Sequence, residues 1–194
     1  MLKSKNLTYE VMKIEDVYQF KNWGSFATPL LKDYNFIEER EEDIISWYYW
    51  KTSNPFNIYY TIFKDNIAIG YIGFKNRNKI TKSATLGIVL NPDIVNKGYG
   101  TEILNFMFDY YFNVMNYKKI YLKVAKFNKR AIALYKKIGF RYIRTNILLY
   151  DNGDYDEKIS DYKNNKDSFK VILGRTFFYA YKMVLNRKDF NEVV

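Results

Sequence analysis

The sequence predicts one α+β domain, a mixed sheet with helices on both faces. Three observations carry this. Short runs alternate apolar and polar side chains, the period-2 mark of half-buried strands. Between them lie stretches with apolar residues at helical spacing. Neither an internal repeat nor a linker rich in Pro, Gly or Ser divides the 194 residues, a length usual for a single domain.

The elements run in order along the chain. Leu7–Ile14 reads as a first strand, and Glu15-Asp16 stands at the start of a short helix, Val17–Trp23, where two carboxylates suit the positive end. Gly24–Phe36 contains Pro29 and reads as loop or broken helix, and the acidic run Glu38–Asp43 leads into a helix carrying Ile44, Ile45, Trp47 and Tyr48. Asn57–Phe63 and Ile67–Lys75 flank the turn Asp65-Asn66 as a hairpin. Ser83–Leu90 is a third strand, followed by Asn91-Pro92 and a glycine-containing loop, Val95–Gly100. A long amphipathic helix comes next, with Ile103, Leu104, Met107, Tyr111, Val114 and Met115 on one face. Ile120–Val124 alternates as a strand, and Lys129–Lys137 is helical up to a capping Gly139. Phe140–Tyr150 is a strand, Asp151–Asp167 a long polar loop within residues 151–175, and 176–185 the last strand.

Composition excludes several chemistries. There is no Cys and no His. That removes disulfides, thiol nucleophiles, thiolate or imidazole metal sites and the Ser-His-Asp triad. Acid–base work falls to carboxylates, Tyr, Lys or the substrate. No signal peptide is visible at Met1–Tyr9, and no run of about 18 apolar residues exists to span a membrane. The expected location is a reducing cytoplasm.

The chemistry concentrates in Leu86–Phe140. A strand feeds a loop containing Gly98 and Gly100, and the loop feeds a helix. Glycines allow positive φ and close backbone approach, and free N–H groups at a helix start favour an anion. The segment is not a P-loop, since GxxxxGK[ST] is absent. Nor is it a dinucleotide fingerprint, since the third glycine of GxGxxG falls at Ile103.

Val95-Asn96-Lys97-Gly98-Tyr99-Gly100, followed by Asn128, Ala131, Tyr135, Gly139 and Phe140, resembles the GCN5-related N-acetyltransferase (GNAT) superfamily. That family carries [RQ]-x-x-G-x-[GA] at its central helix and N-x-x-A-x-x-x-Y-x-x-x-G-F after the next strand. The likeness covers residues 7–150 and extends to the last strand. It implies a mostly antiparallel mixed sheet and a single N-acetyltransferase domain over 1–194. Within the family, the N-terminal region and the phrase GYGTEIL look most like the branch named for ribosomal-protein N-terminal acetyltransferases.

The resemblance implies acetyl-CoA as co-substrate, no metal, and direct attack by a primary amine in a ternary complex. The backbone of Val95, Asn96, Lys97, Gly98, Tyr99, Gly100 and Thr101 would hold the pyrophosphate. Edge groups of Ile88, Val89 and Leu90 would pair with the pantetheine arm, and an N–H there, assigned to Val89, would polarise the thioester carbonyl. Asn128, Lys129 and Ala131 would contact the cofactor arm, and Tyr135 would protonate the leaving thiolate. Residue by residue, structural roles compete: Asn128 as a helix cap, Tyr135 as core packing. Trp23, Tyr34, Phe36, Trp47 and Trp50 are candidates for the acceptor wall. Asp151, Asp154, Asp156 and Glu157 are candidates to attract a cationic amine.

Two positions depart from the family. Val95 replaces the usual Arg or Gln. Where many relatives read Ala-Glu-Ile-Gly, with the Glu as general base, this chain reads Ala84-Thr85-Leu86-Gly87. A lysine-type amine, pKa about 10.4, is roughly 0.1% neutral at pH 7.4, a cost of about 4 kcal/mol. An α-amine, pKa about 7.8, costs below about 1 kcal/mol. A site lacking a strong base therefore favours an α-amine of a protein, peptide or small molecule, unless another carboxylate such as Asp93 reaches the acceptor. The alternatives are a catalytically inactive CoA-binding sensor and an RNA-binding module.

The formal charge is +10. Residues 110–150 contain seven Lys, three Arg and no carboxylate, so that segment carries the whole excess. Lys126, Lys129 and Arg130 would meet the cofactor's phosphates, and a surplus of this size keeps an RNA or tRNA-linked acceptor open. The expected oligomeric state is monomer or homodimer.

Overall fold

Alternation becomes strand at nearly every expected position. The computed structural model describes residues 1–150, 155–156 and 158–192. The strands are β1 (Leu2–Lys3), β2 (Thr8–Val11), β3 (Ile58–Lys64), β4 (Ile67–Asn78), β5 (Ser83–Leu90), β6 (Lys119–Ala125), β7 (Arg141–Leu149), β8 (Phe169–Ile172) and β9 (Arg175–Asn186). They form one sheet in the order β1-β2-β3-β4-β5-β6-β9-β7, with β8 also paired to β9. Every pairing is antiparallel except β5 with β6. This is the mixed, mostly antiparallel α+β sheet that the sequence predicted.

Helices cover both faces. The helices are α1 (Ile14–Gln19), α2 (Glu41–Thr52), α3 (Tyr99–Asp109), α4 (Lys129–Ile138), α5 (Ser160–Lys163) and α6 (Arg187–Asn191). On one face, Ile103, Leu104, Met107 and Phe108 of α3 and Ile132 of α4 bury against Ile72, Phe74, Leu86, Ile120 and Leu122. On the other, Val17 of α1 and Ile44 of α2 pack with Phe20, Tyr59 and Tyr71. Alternation along β4 therefore sends Ile72 and Phe74 to the α3 face and Tyr71, Gly73 and Lys75 to the α1–α2 face.

Local chemistry sets the element ends. α1 starts earlier than expected because Asp16 secures its first turn. Asp16 Oδ2 accepts from Lys13 N at 2.9 Å and from Thr61 Oγ1 at 2.7 Å. Asp65 and Asn66 adopt positive φ of 50° and 64°, as a tight hairpin turn requires. Gly139 ends α4 at φ 104°. Within 24–36, Pro29–Tyr34 forms 3-10 turns capped by Thr28.

Two expectations are corrected. The long helix expected after Gly100 is regular only to Asp109, and Tyr110–Val114 continues as a π-turn. The wider turn inserts a residue and rotates the next side chains about the axis by about 100°. Val114, placed on the apolar face by period, is 67% exposed, while Phe108 and Phe112 are fully buried. The expected polar loop is not featureless either. Tyr162 on α5 is fully buried beside Tyr150 and Phe169, a small aromatic core also touched by Leu30, Phe127 and Phe178. Sparse aromatics seated by distant strands carry no helical or strand period.

Candidate functional site

β5 and β6 pair only at Ser83–Thr85 with Lys119–Tyr121. Beyond this, β6 remains bonded to β9, and β5 remains bonded to β4 as far as Leu90. The two strands splay, and the β6-facing edge of Leu86–Leu90 has no strand partner. Open edges offer backbone groups to an extended ligand. The splay opens into a cavity of about 510 Å³.

The loop before α3 closes one end of this cavity. Asn96 and Gly98 both adopt positive φ, 66° and 84°, and Gly98 is the N-terminal cap of α3. The N–H groups of Asn96, Lys97, Gly98, Tyr99 and Gly100 donate to no acceptor among the described residues, while those of Thr101 and Glu102 bond Gly98 O at 3.1 and 3.4 Å. Unspent donors at a helix start form an anion-binding concavity. Gly100 permits close packing, since a Cβ there would lie 3.2 Å from Leu134 Cδ2. The residues thus fit a pyrophosphate-bearing ligand. Gly98→Val is expected to cost about 1–2 kcal/mol of stability, because a side chain at that φ meets its own carbonyl. Acetyl-CoA affinity, read by calorimetry, should fall about tenfold as the loop distorts.

Asn128, Tyr34 and Tyr135 stand together at the cavity wall. Asn128 caps α4, its Oδ1 accepting from Ala131 N at 3.1 Å, so its structural role is realised. Tyr34 reaches the cleft from the Pro29–Tyr34 turns, where burial raises its phenol pKa and the nearby Asn128 side chain lowers it. Burial pushes the Tyr135 phenol well up, and the neighbouring Tyr34 adds to the rise. Its ring packs against Phe140, centroids 5.5 Å apart.

Of the residues singled out for cofactor contact, Ile88, Val89, Leu90, Val95, Asn96, Gly98, Gly100, Thr101, Asn128, Ala131 and Tyr135 line this cavity. Lys97, Tyr99 and Lys129 are not part of its wall. Tyr99 packs on the main core. Among the basic candidates for phosphate binding, Lys126 is committed elsewhere, 2.8 Å from Asp167, whereas Arg130 lines the cavity. Asp167 thus offsets part of the basic segment's charge, as Asp189 does by its 3.0 Å pairing with Arg141.

The α1–α2 face supplies the opposite wall. Trp23, Phe36 and Trp47 pack on the second core, with Trp23 Nε1 donating to Ala68 O at 2.8 Å. They also line a smaller adjoining cavity of about 340 Å³ with Tyr34, Trp50 and Lys51. Asp93 lines neither cavity. It accepts from Gly24 N at 3.1 Å, off the cavity wall. Asp156 is bonded to Lys158 N at 2.8 Å, and Asp151, Asp154 and Glu157 lie outside the described residues. Sequence reading missed Lys51 and Lys75, which line the main cavity with Lys123. Strand alternation alone places Lys75 on the face of Tyr71 and Gly73, but its neighbour across the sheet, Thr85, needs the register.

Among the described residues, no helix is long and apolar enough to cross a membrane, and no cluster of Asp or Glu could hold a metal ion.

Comparison with known proteins gives the same direction. A family model described as acetyltransferase (GNAT) domain matches residues 6–141. A spermidine N(1)-acetyltransferase of Vibrio cholerae is 38% identical over 72 residues, 37% of this chain and 42% of that protein. The matched segment thus spans less than half of that relative. Acetyltransferase PseH of Campylobacter jejuni is 26% identical over 141 residues, 72% of this chain and 85% of that protein. The crystal structure of the Vibrio cholerae spermidine N-acetyltransferase in complex with CoA and spermine superposes with a TM-score of 0.69 at 20% identity, covering 96% of this chain and 98% of that one. At that identity the likeness is one of fold. These relatives give no support to the ribosomal-protein branch suggested by GYGTEIL.

Proposed function

This chain belongs to the GNAT acetyltransferase family, and we propose that it transfers the acetyl group of acetyl-CoA to a primary amine by direct attack in a ternary complex. One observation carries the reading. The unpaired edge of β5, the anion-binding loop and Tyr135 all line one cavity. A long, anionic thioester needs that arrangement: phosphates held at one end, a carbonyl presented at the other.

When bound, acetyl-CoA supplies an activated acyl carbon and a thiolate leaving group. The chain's residues do the remainder. Free N–H groups from Asn96 to Gly100 hold phosphate oxygens. The β5 edge orients the arm, and an N–H on that edge, at Ile88 or Leu90, stabilises the charge that develops on the carbonyl oxygen. The Val89 N–H expected for this role instead points to β4, on the same side as Asn91 N, which bonds Ile69 O. Neutral amine attacks the carbonyl carbon; the C–N bond forms and the C–S bond breaks. Tyr135 gives its proton to sulfur and is reprotonated by the proton leaving nitrogen. An unperturbed phenol and thiol differ by only about 1.5 units. Burial raises the Tyr135 phenol, and the same dry surroundings raise the thiol's pKa, so the transfer stays feasible over a short path.

No carboxylate stands at position 85, Asp93 lines neither cavity, and Asp33 is the one carboxylate on the main cavity's wall among the described residues. An amine with a low pKa is therefore the favoured acceptor. Names of the Vibrio cholerae relatives favour a second reading, a small polyamine. Thiol release at pH 7.4 decides between them: a peptide α-amine should exceed spermidine by about tenfold or more in kcat/KM. Preference for spermidine would establish the second reading. Tight acetyl-CoA binding without turnover on any amine would indicate a CoA-binding sensor instead. Because only neutral amine reacts, kcat/KM should climb about tenfold per pH unit below the acceptor's pKa and then level. A chain without His has no imidazole to add an inflection near neutrality.

A further inference from the structure

Three lysines converge where family relatives place their general base. Lys75 stands directly across from Thr85 in the β4–β5 register. Thr85 in turn pairs with Tyr121 of β6, and Lys123 lies two residues on, on the same face. Lys51 enters from the last turn of α2. All three line the main cavity.

The arrangement is built rather than incidental. Lys75 lies along Gly87, where a Cβ would come within 3.3 Å of its Cε and 3.4 Å of its Nζ. Lys51 Nζ sits among aromatic faces, 4.0 Å from the Trp50 centroid, 5.0 Å from Trp47 and 5.6 Å from Tyr71. None of the three forms an ion pair among the described residues. Burial, and then the charge of Lys75, lower Lys51 to about 8, against a smaller opposite pull from Glu38. Burial, and then Lys123, lower Lys75. Cations held together in a half-buried cleft without a counter-ion are costly, and a bound anion would offset that cost.

We propose that the acceptor is a primary amine that also carries a carboxylate or phosphate, held through that anion by Lys51, Lys75 and Lys123. This rests on the acetyl-transfer reading above and names the substrate class of that site. It also supplies what the missing base would have done. Nearby positive charge disfavours the ammonium form, so the amine enters its neutral, nucleophilic state without a carboxylate to take the proton. That proton goes to solvent before attack.

A polycation meets the opposite situation. The aromatic cage that could receive an ammonium already holds Lys51, and Arg130 adds a further positive charge to the wall. Asp33 on the same wall and Glu38 in the adjoining cavity are the opposing carboxylates. They are outnumbered where the acyl carbon would emerge.

Matched probes test the idea: ethanolamine against phosphoethanolamine, glycinamide against glycine, with spermidine as the polycation. Turnover is measured with acetyl-CoA and referred to each probe's neutral-amine fraction, since an anion raises the pKa of the amine beside it, and binding is measured by calorimetry to CoA-saturated protein. At least one anion-bearing member should exceed its uncharged partner by about tenfold or more in kcat/KM, or in affinity if no probe turns over. A carboxylate or phosphate source is told apart by which pair responds. Lys75→Met and Lys123→Met should each reduce that ratio toward one. The wild-type ratio stands as a test even if a variant fails to fold. Equal or better binding and turnover of the uncharged members or of spermidine would overturn the proposal. So would a ratio that folded lysine variants leave unchanged. Selective binding without any turnover would uphold the anion site and sink only the acetyl-transfer reading.

Discussion

Tyr135→Phe should lower kcat by about a hundredfold or more while leaving the acetyl-CoA dissociation constant within about twofold. Positioned general acids contribute roughly 10²–10⁴-fold, and the substitution removes only the hydroxyl. The ring keeps its packing against Phe140, so the fold and the wall of the cleft survive. Burial keeps the phenol protonated well past neutrality, so the acid is in its donating form throughout the working range. The loss should therefore be independent of pH between about 6 and 9, values well below a phenol's unperturbed pKa of about 10. Steady-state thiol release and calorimetric titration on the same preparation check both halves. A loss below about threefold would mean that the thiolate departs without help from this residue. An equal loss in acetyl-CoA affinity would assign Tyr135 to binding.

Which features were legible in the sequence depends on how local they are. Gly98 and Gly100 could be read because positive φ and close packing demand glycine within a few residues of a helix start. Asn128 and Gly139 could be read because caps are local as well. Edge groups at Ile88–Leu90 were implied by the family resemblance, not by any residue pattern, and the splay from β6 that exposes them was not legible, since pairing that stops at Thr85 is a tertiary event. Lys75 escaped notice for the same reason. In the sequence it is one lysine among many, and only the register sets it opposite Thr85. The count of charge over 110–150 was correct, yet its meaning changed in three dimensions. Asp167 and Asp189, more than forty residues away from their partners, take up Lys126 and Arg141. Tyr162 and the π-turn show the converse limit. A single inserted residue, or an aromatic seated by distant strands, breaks the periodicity on which burial is read.

Phe108→Ala should cost about 3–5 kcal/mol of stability, the range for removing a buried aromatic ring. Phe108 is fully buried. It meets Phe140, Phe190 and Phe112 at centroid separations of 5.7, 6.1 and 6.2 Å. These rings come from the link between α4 and β7, from α6 and from the π-turn, so no single neighbour can shift to fill the void. The measurement is the denaturant midpoint at constant m-value, with Val114→Ala as the exposed comparison on the same segment. Val114 should change stability by less than about 0.5 kcal/mol, although an unbroken helix would have placed it in the core. Comparable losses at both positions would contradict the π-turn. Binding should separate from stability in the same variant. Phe108 lies ten residues beyond Gly98, about 15 Å along the helix, and the void relaxes locally. Acetyl-CoA affinity measured well below the melting temperature should then change by less than about threefold, because the anion-binding loop is set by the φ of Gly98 and the packing of Gly100 on Leu134.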